Sequence, residues 1–407
     1  MKSIHPYWFK ICCLVFIIFL FFFQKAKFER SSCFCKSRKS GKTYDFCYEN
    51  PRNPESIGAK FNCNLLDTLE ELGLISETER IPSLSSIIND ESAVVFVSST
   101  SDDHLHLSLK SYNSIREFYP HHKYILHGLN LSAAYIDKLP RNDENFEFRA
   151  FNTSTYPKFV SNWMTYNFKP LLMAQMLKEF PAVWWIDAHI GVVKPNIIGN
   201  LYEEIKTERL SDDYASVIAE SLAPHSNFAV LNPKLLKFFP TSSLELLKQR
   251  TQVQAGLIFL ARTRYTMKLF KWMVLCALTE DCMNPPGSQS ICIFLHDWNK
   301  YYADCFRYDQ SIINLLLVND FTGIHKYYSE KLSSSFVKVI ILNIILNIFT
   351  FRSARHYSGS PRREKVDEAG NESPESKHYM KVVQLLGSRG SKKARKKSTD
   401  PYAALQS

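Results

Sequence analysis

The stretch Ala182-Val183-Trp184-Trp185-Ile186-Asp187-Ala188-His189-Ile190 decides how this chain folds. An apolar run with strand character ends in a carboxylate, one small residue and an imidazole. On an extended chain, residues i and i+2 point the same way, so a strand over Trp184–Ile190 aims Asp187 and His189 at one spot. In open α/β sheets the carboxyl edge of the strands is where ligands bind. A carboxylate beside an imidazole also makes half a shell for a divalent cation. The pair by itself leaves a structural reading open, in which Asp187 caps a turn at the strand end and His189 is hydrogen-bonded in place.

Upstream, Ala93–Val97 is a buried-strand run, followed by Ser98-Ser99-Thr100-Ser101 and by a helix with Leu105, Leu109, Tyr112 and Ile115 at helical spacing. Lys123–Leu126 and Phe146–Phe151 read as strands. Lys169–Phe180 reads as a helix with Pro170 early, where proline is tolerated. Downstream, Ser216–Ala219 and Val253–Leu260 read as strands, and Arg264–Leu278 and Tyr308–Val318 as helices. This alternation predicts an α/β sheet with crossover helices. No internal repeat is present.

The 407 residues carry a net charge of +10, but the charge is unevenly placed. Residues 1–42 hold nine Lys/Arg and one Glu, giving +8; residues 352–407 hold thirteen Lys/Arg and six Asp/Glu, giving +7. The span 43–351 is therefore −5, a mildly acidic body that argues against a nucleic-acid-binding core. Ile11–Phe23 is a run of thirteen uncharged residues, extended on its N-terminal side by Tyr7, Trp8 and Phe9. That is short of the roughly 20 residues that span an average bilayer, but secretory-pathway membranes are thin. The Phe-Phe-Phe-Gln-Lys-Ala that follows is a poor cleavage site, so an uncleaved signal anchor is expected. Beyond Cys12 and Cys13, eight cysteines fall in two groups of four: Cys33, Cys35, Cys47 and Cys63, then Cys276, Cys282, Cys292 and Cys305. An even count after a secretory segment reads as disulfides, with connectivity open, and no CxxC pair supports zinc. Sequons stand at Asn130, Asn152 and Asn371. The expected organisation is a cytoplasmic tail (1–10), a signal-anchor transmembrane segment (11–23), a Cys-containing stalk and lead-in (24–90), the α/β domain (91–330), an apolar helix (331–351) and a disordered basic tail (352–407).

Several further residues can carry chemistry. Asp309 heads an apolar helix; it is either an N-cap or a group that orients or deprotonates an acceptor hydroxyl. Gln254-Ala255-Gly256 interrupts an apolar strand, where glycine permits close approach of a ligand or marks a bulge. Lys169 opens a helix and is either solvated or meets a phosphate there. His325 either completes a metal shell from a late loop or sits on the surface. Trp163, Trp184, Trp185 and Trp272 read as core. No Gly-x-Ser-x-Gly, Walker loop or His-Glu-x-x-His motif occurs.

The order of Phe-Lys-Pro-Leu-Leu (168–172), Trp-Trp-Ile-Asp-Ala-His (184–189), Gln-Ala-Gly-Leu-Ile-Phe-Leu (254–260) and Tyr-Asp-Gln-Ser-Ile-Ile-Asn (308–314) resembles GT-A nucleotide-sugar glycosyltransferases. With Tyr-Pro-His-His-Lys-Tyr (119–124), the chain from about Cys33 to Tyr328 more closely resembles a family of type II membrane proteins known as domain of unknown function 1647. The resemblance implies a GT-A-like mixed sheet flanked by helices, behind one N-terminal transmembrane helix. It implies a nucleotide-diphosphate sugar donor, a glycan or protein acceptor, a Golgi or ER membrane address with a luminal catalytic domain, and no nucleic-acid partner. Asp187 and His189 fall where GT-A enzymes place the Asp-x-Asp that holds Mn2+ and the donor diphosphate, with His in place of the second Asp. Ser98, Ser99 and Thr100 fall near the nucleobase, Lys169 near the nucleotide or its phosphates, and Gln254 and Gly256 beside the donor sugar. Asp309 and Gln310 match the acceptor-side pair, and His325 the late metal-binding histidine. The rival class is a catalytically inactive, membrane-anchored sugar- or protein-binding module on the same fold.

Overall fold

The computed structural model describes residues 32–75, 81–209, 215–333 and 337–339. The anchor expected at 11–23 and the tail expected at 352–407 lie outside the described residues. Among the described residues no helix is long and apolar enough to cross a membrane.

A six-stranded sheet forms the centre. Its strands are β1 (Val94–Thr100), β2 (Tyr124–Gly128), β3 (Phe146–Ala150), β4 (Ala182–Ile186), β5 (Val217–Ala219) and β6 (Leu257–Ala261), in the order β5-β6-β4-β1-β2-β3. β1 runs parallel to β2 and β4, and β2 parallel to β3. β6 is antiparallel to both of its neighbours. The sheet is thus mixed, with only β6 reversed. Its inner strands β1, β4 and β6 are largely apolar on both faces because both faces are covered, whereas the edge strand β3 alternates and carries Glu147 and Arg149 on one face. Val95, Val97, Trp185 and Ile258 pack with helices α2 (Phe168–Glu179), α4 (Arg264–Ala277) and α5 (Asp309–Asp320). Phe96, Trp184 and Phe259 pack on the other side with α1 (Leu105–Phe118) and α3 (Ile197–Glu208).

Three expected elements differ. The strand expected over Trp184–Ile190 ends at Ile186. Asp187 opens a turn in which the Ile190 N–H donates to the Asp187 carbonyl at 3.0 Å. Ile190–Val192 then pairs with Val337–Val339 instead. The strand expected over Val253–Leu260 is also broken. Thr251–Val253 pairs with Leu222–Ser226, and β6 starts only at Leu257. The Asp187 N–H donates to the Gly256 carbonyl at 2.8 Å, one rung beyond the Ile186–Leu257 pair, so the β4–β6 ladder runs on to the point where both strands end. In the span expected as an apolar helix, Glu330–Ser333 is a short helix but Val337–Val339 is a strand. Its two valines suit a pleated edge, and Ile190–Val192 offers one. The rest of that span lies outside the described residues.

Among the described residues, disulfides join Cys33–Cys47, Cys35–Cys63, Cys276–Cys282 and Cys292–Cys305. Each stays within its own sequence group. The described part of the lead-in is more than a stalk: Phe46 and Phe61 are buried in the main core, and the Phe61 ring stacks on Phe238 at 5.1 Å.

Candidate functional site

The site forms where three elements end together: the carboxyl end of β4, the first turn of α2 and the first turn of α5. Lys169 lies in that first turn of α2, at the positive end of the helix, where a cation is unfavourable by itself. It is 4% exposed, so its charge must be balanced locally. Two acids do so. Its Nζ lies 2.9 Å from Asp187 Oδ1, 3.1 Å from Asp187 Oδ2 and 3.3 Å from Asp309 Oδ2. Nζ also donates to the Ala255 carbonyl at 3.2 Å, a group exposed by the break before β6. Burial alone would lower the ammonium pKa; Asp187 and then Asp309 outweigh it, and the net direction is upward. Lys169 is therefore a permanent buried cation.

Asp187 keeps some contact with solvent, its side chain being 21% exposed. The Trp185 indole Nε1 donates to its Oδ1 at 2.8 Å. Gly256 is required beside it. A Cβ there would lie 2.8 Å from Ile190 Cδ1 and 3.2 Å from Asp187 Oδ2. Asp309 is the first residue of α5 and its carboxylate faces Lys169 instead of serving as the N-cap, a position held by Tyr308. Burial raises the Asp309 pKa, while Lys169 pulls it back. One cation thus serves two acids, leaving the trio with a net negative charge.

Gln310 is a bracket. Its Oε1 accepts from the Ala255 N–H at 3.2 Å and its Nε2 donates to Gln252 Oε1 at 2.6 Å. Asn314 continues the clamp, accepting from the Val253 N–H and donating to the Val253 carbonyl, both at 2.8 Å. The acceptor-side pair therefore divides: Asp309 faces the cation, whereas both ends of the Gln310 amide hold the chain before β6. Gln254 is half-buried and donates to the Leu222 carbonyl at 2.9 Å.

The remaining expected residues are placed differently. Ser98 and Thr100 are buried and Ser99 is half-buried, so of the trio expected near the nucleobase only Ser99 keeps contact with solvent. His189 sits in the turn after Asp187, half-buried; burial pushes its imidazole pKa down against the pull of Asp187. His325 is exposed in the turn Ile324–Lys326, with its ring folded over Gly323. Asp187, His189 and His325 do not form a group whose ligand atoms all lie within 4.8 Å of one another. Among the described residues the group that meets that distance is Cys33, Asp45 and Cys47, and its two sulfurs are joined to each other. With Asp187 already held by Lys169 and Trp185, the three residues expected to bind Mn2+ do not fit a metal shell as arranged.

Sequence reading missed three contributors. Trp185 precedes Asp187 by two residues on a strand end, a spacing that could have placed its N–H on the carboxylate. Gln252 and Tyr166 carried no such signal. The Tyr166 ring centroid is 5.6 Å from Lys169 Nζ, a contact made only by the turn before α2.

Residues 33–174 match the family described as "Protein of unknown function (DUF1647)". No curated protein matches the chain. Among solved structures it is similar to the apo bifunctional glycosyltransferase WbbM, with a TM-score of 0.34 and 19% identity over 48% of this chain and 37% of that one. It is similar to mouse xyloside xylosyltransferase 1 in its apo form, with a TM-score of 0.34 and 11% identity over 58% of this chain and 84% of that one. It is also similar to the galactosyltransferase LgtC in complex with donor and acceptor sugar analogues, with a TM-score of 0.30 and 13% identity over 55% of this chain and 70% of that one.

Proposed function

We propose that this protein is a glycosyltransferase that moves a sugar from a nucleotide-diphosphate donor to a hydroxyl acceptor. One observation carries the reading: Lys169, Asp187 and Asp309, far apart in sequence, converge at the carboxyl edge of the sheet around a single buried cation. That edge is the general ligand position of α/β sheets, and the residues are those that the sequence resemblance assigns to donor and acceptor. In the proposed reaction Asp309 accepts the proton of the acceptor hydroxyl as the glycosidic bond forms. Its raised pKa brings it nearer the working range of a general base. Lys169 holds the two carboxylates together and offsets part of their charge, which lessens their repulsion of a bound diphosphate. Asp187, orientated by Trp185 and Lys169, positions the donor. No step is assigned to a metal ion.

The proposed setting is a secretory-pathway membrane of Golgi or ER type, with 11–23 as a single anchor and the catalytic domain in the lumen. The paired cysteines support an oxidising compartment. The test is a panel of nucleotide sugars offered to the full-length protein, with and without Mn2+, reading donor hydrolysis and thermal shift. Release of nucleoside diphosphate that is lost in Asp187→Asn supports the enzyme. Absence of any shift or hydrolysis across the panel overturns it. The binding-module reading is favoured by one feature, the prior engagement of both Asp187 oxygens by Lys169; it is distinguished by donor or glycan binding without turnover.

A further inference from the structure

Tyr166 has a backbone that its side chain does not suit. Its φ of 57° and ψ of 18° are left-handed, a region that glycine and asparagine enter readily and a bulky aromatic residue does not. The surroundings hold it there. Thr165 Oγ1 donates to Asn167 Oδ1 at 2.5 Å, and Asn167 Nδ2 donates to the Ala277 carbonyl at 2.7 Å, which pins the turn to α4. The Tyr166 N–H donates to the Trp163 carbonyl and the Lys169 N–H to the Tyr166 carbonyl, each at 3.2 Å. Backbone strain that is enforced from several sides in this way clusters at functional sites. Across the opening stands a second strained tyrosine. Tyr308, with φ 45° and ψ −120°, immediately precedes Asp309, and the two rings lie 6.0 Å apart at 37°.

The strain places an aromatic ring at the mouth of the charged site. Tyr166 faces the Lys169 ammonium and is still 36% exposed, and its neighbour Met164 is 68% exposed. The packing of the core uses neither exposed surface. An aromatic face is negative and attracts the weakly positive C–H bonds of a partner. A pyranose ring offers such a C–H face together with a rim of hydroxyls. Stacked on Tyr166, it would lie beside the cluster in which Lys169 Nζ, 5.6 Å from the ring centroid, holds Asp309 at 3.3 Å. A serine or threonine side chain has no face to stack.

Building on the glycosyltransferase reading, we infer that Tyr166 is the acceptor platform and that the acceptor is a glycan, bound through a sugar ring stacked on this residue. The test does not depend on turnover. The full-length protein, with Tyr166→Phe and Tyr166→Asn variants, is titrated by saturation-transfer NMR with N-acetylglucosamine, chitobiose, lactose, cellobiose, xylobiose and a serine-containing peptide. Asparagine accepts the left-handed backbone, so Tyr166→Asn removes the ring while its thermal midpoint stays at or above that of the wild type. At least one sugar is expected to bind the wild type and Tyr166→Phe alike, and about tenfold more weakly to Tyr166→Asn. Equal binding to Tyr166→Asn, binding of the peptide alone, or no sugar binding to the wild type overturns the inference. Nucleotide-sugar binding is measured on the same samples. Its loss would overturn the glycosyltransferase reading, whereas failure of the sugar arm with donor binding intact removes only the role of Tyr166.

Discussion

Among the described residues, two buried ion clusters are built to opposite rules. At the end of α3, Arg209 holds Glu204 through Nε at 2.9 Å and Nη2 at 2.6 Å, and donates to the carbonyls of His325 and Tyr328. Ser329 Oγ donates to the second Glu204 oxygen at 2.6 Å. One cation meets one anion, both are less than a tenth exposed, and both carboxylate oxygens are engaged. At the carboxyl edge of the sheet, Lys169 instead meets two acids, and one of these reaches solvent. The first cluster rivets the chain after α3 to the late segment beside β5. The second is left with surplus negative charge and an open side, which a rivet does not need. Charge balance, more than burial, separates architecture from chemistry here.

That contrast can be broken most directly at Asp309. Asp309→Asn should lower sugar transfer by about 10²–10⁴-fold, the usual worth of a general base, while the thermal midpoint holds or rises because a buried charge is removed. Glu204→Gln should do the reverse, lowering the midpoint with little change in transfer. Equal behaviour of the two variants would erase the distinction. Lys169→Met should cost about 3–5 kcal/mol in denaturant unfolding, since it leaves two acids without their cation. Adding Asp309→Asn should recover part of that loss, a coupling that a double-mutant cycle measures. Gly256→Ala should cost about 1–3 kcal/mol, because the new methyl must displace Ile190 or the Asp187 carboxylate. Donor binding should weaken with it.

The effect most remote from the charged cluster concerns a third buried acid. Glu220 is fully buried, and burial drives its pKa well above the ordinary value of 4.5, against a partial pull from the Trp184 indole. The folded state therefore holds this proton more tightly than the unfolded chain. The stability it contributes is full below about pH 4.5 and falls as pH rises towards the folded pKa, by at most about 1.4 kcal/mol per pH unit. Glu220→Gln should flatten that part of the stability profile, measured by urea unfolding between pH 4 and pH 8. An unchanged slope would show that the proton is not held there.

Much of the sheet was legible because its strands are continuous apolar runs, and a run such as Val94–Val97 has few alternatives to burial on both faces. The helices α2, α4 and α5 were legible within two residues at each end, and α1 by the spacing of its apolar positions. The breaks were not. The stretch around Gln254 and the stretch through Asp187 both read as continuous strands, since their apolar flanks suggest nothing else. Both breaks lie at one place, where the Asp187 N–H and the Gly256 carbonyl form a rung just beyond the Ile186–Leu257 pair. A pattern in one segment cannot show a hydrogen bond to another.

The sequence alone determined the α/β class, the even cysteine set, the acidic body between basic ends, and the candidacy of Asp187, Lys169 and Asp309, because composition and periodicity are local properties. Only the tertiary structure decided which candidates meet. It joined Lys169 to both acids, turned Gln310 into a bracket, left Asp187, His189 and His325 short of a three-ligand group, and swung Tyr166 to the edge of the charged cluster. Each of those outcomes depends on Coulombic and hydrogen-bond partners that lie many residues away and come within a few ångströms only when the strand ends close together.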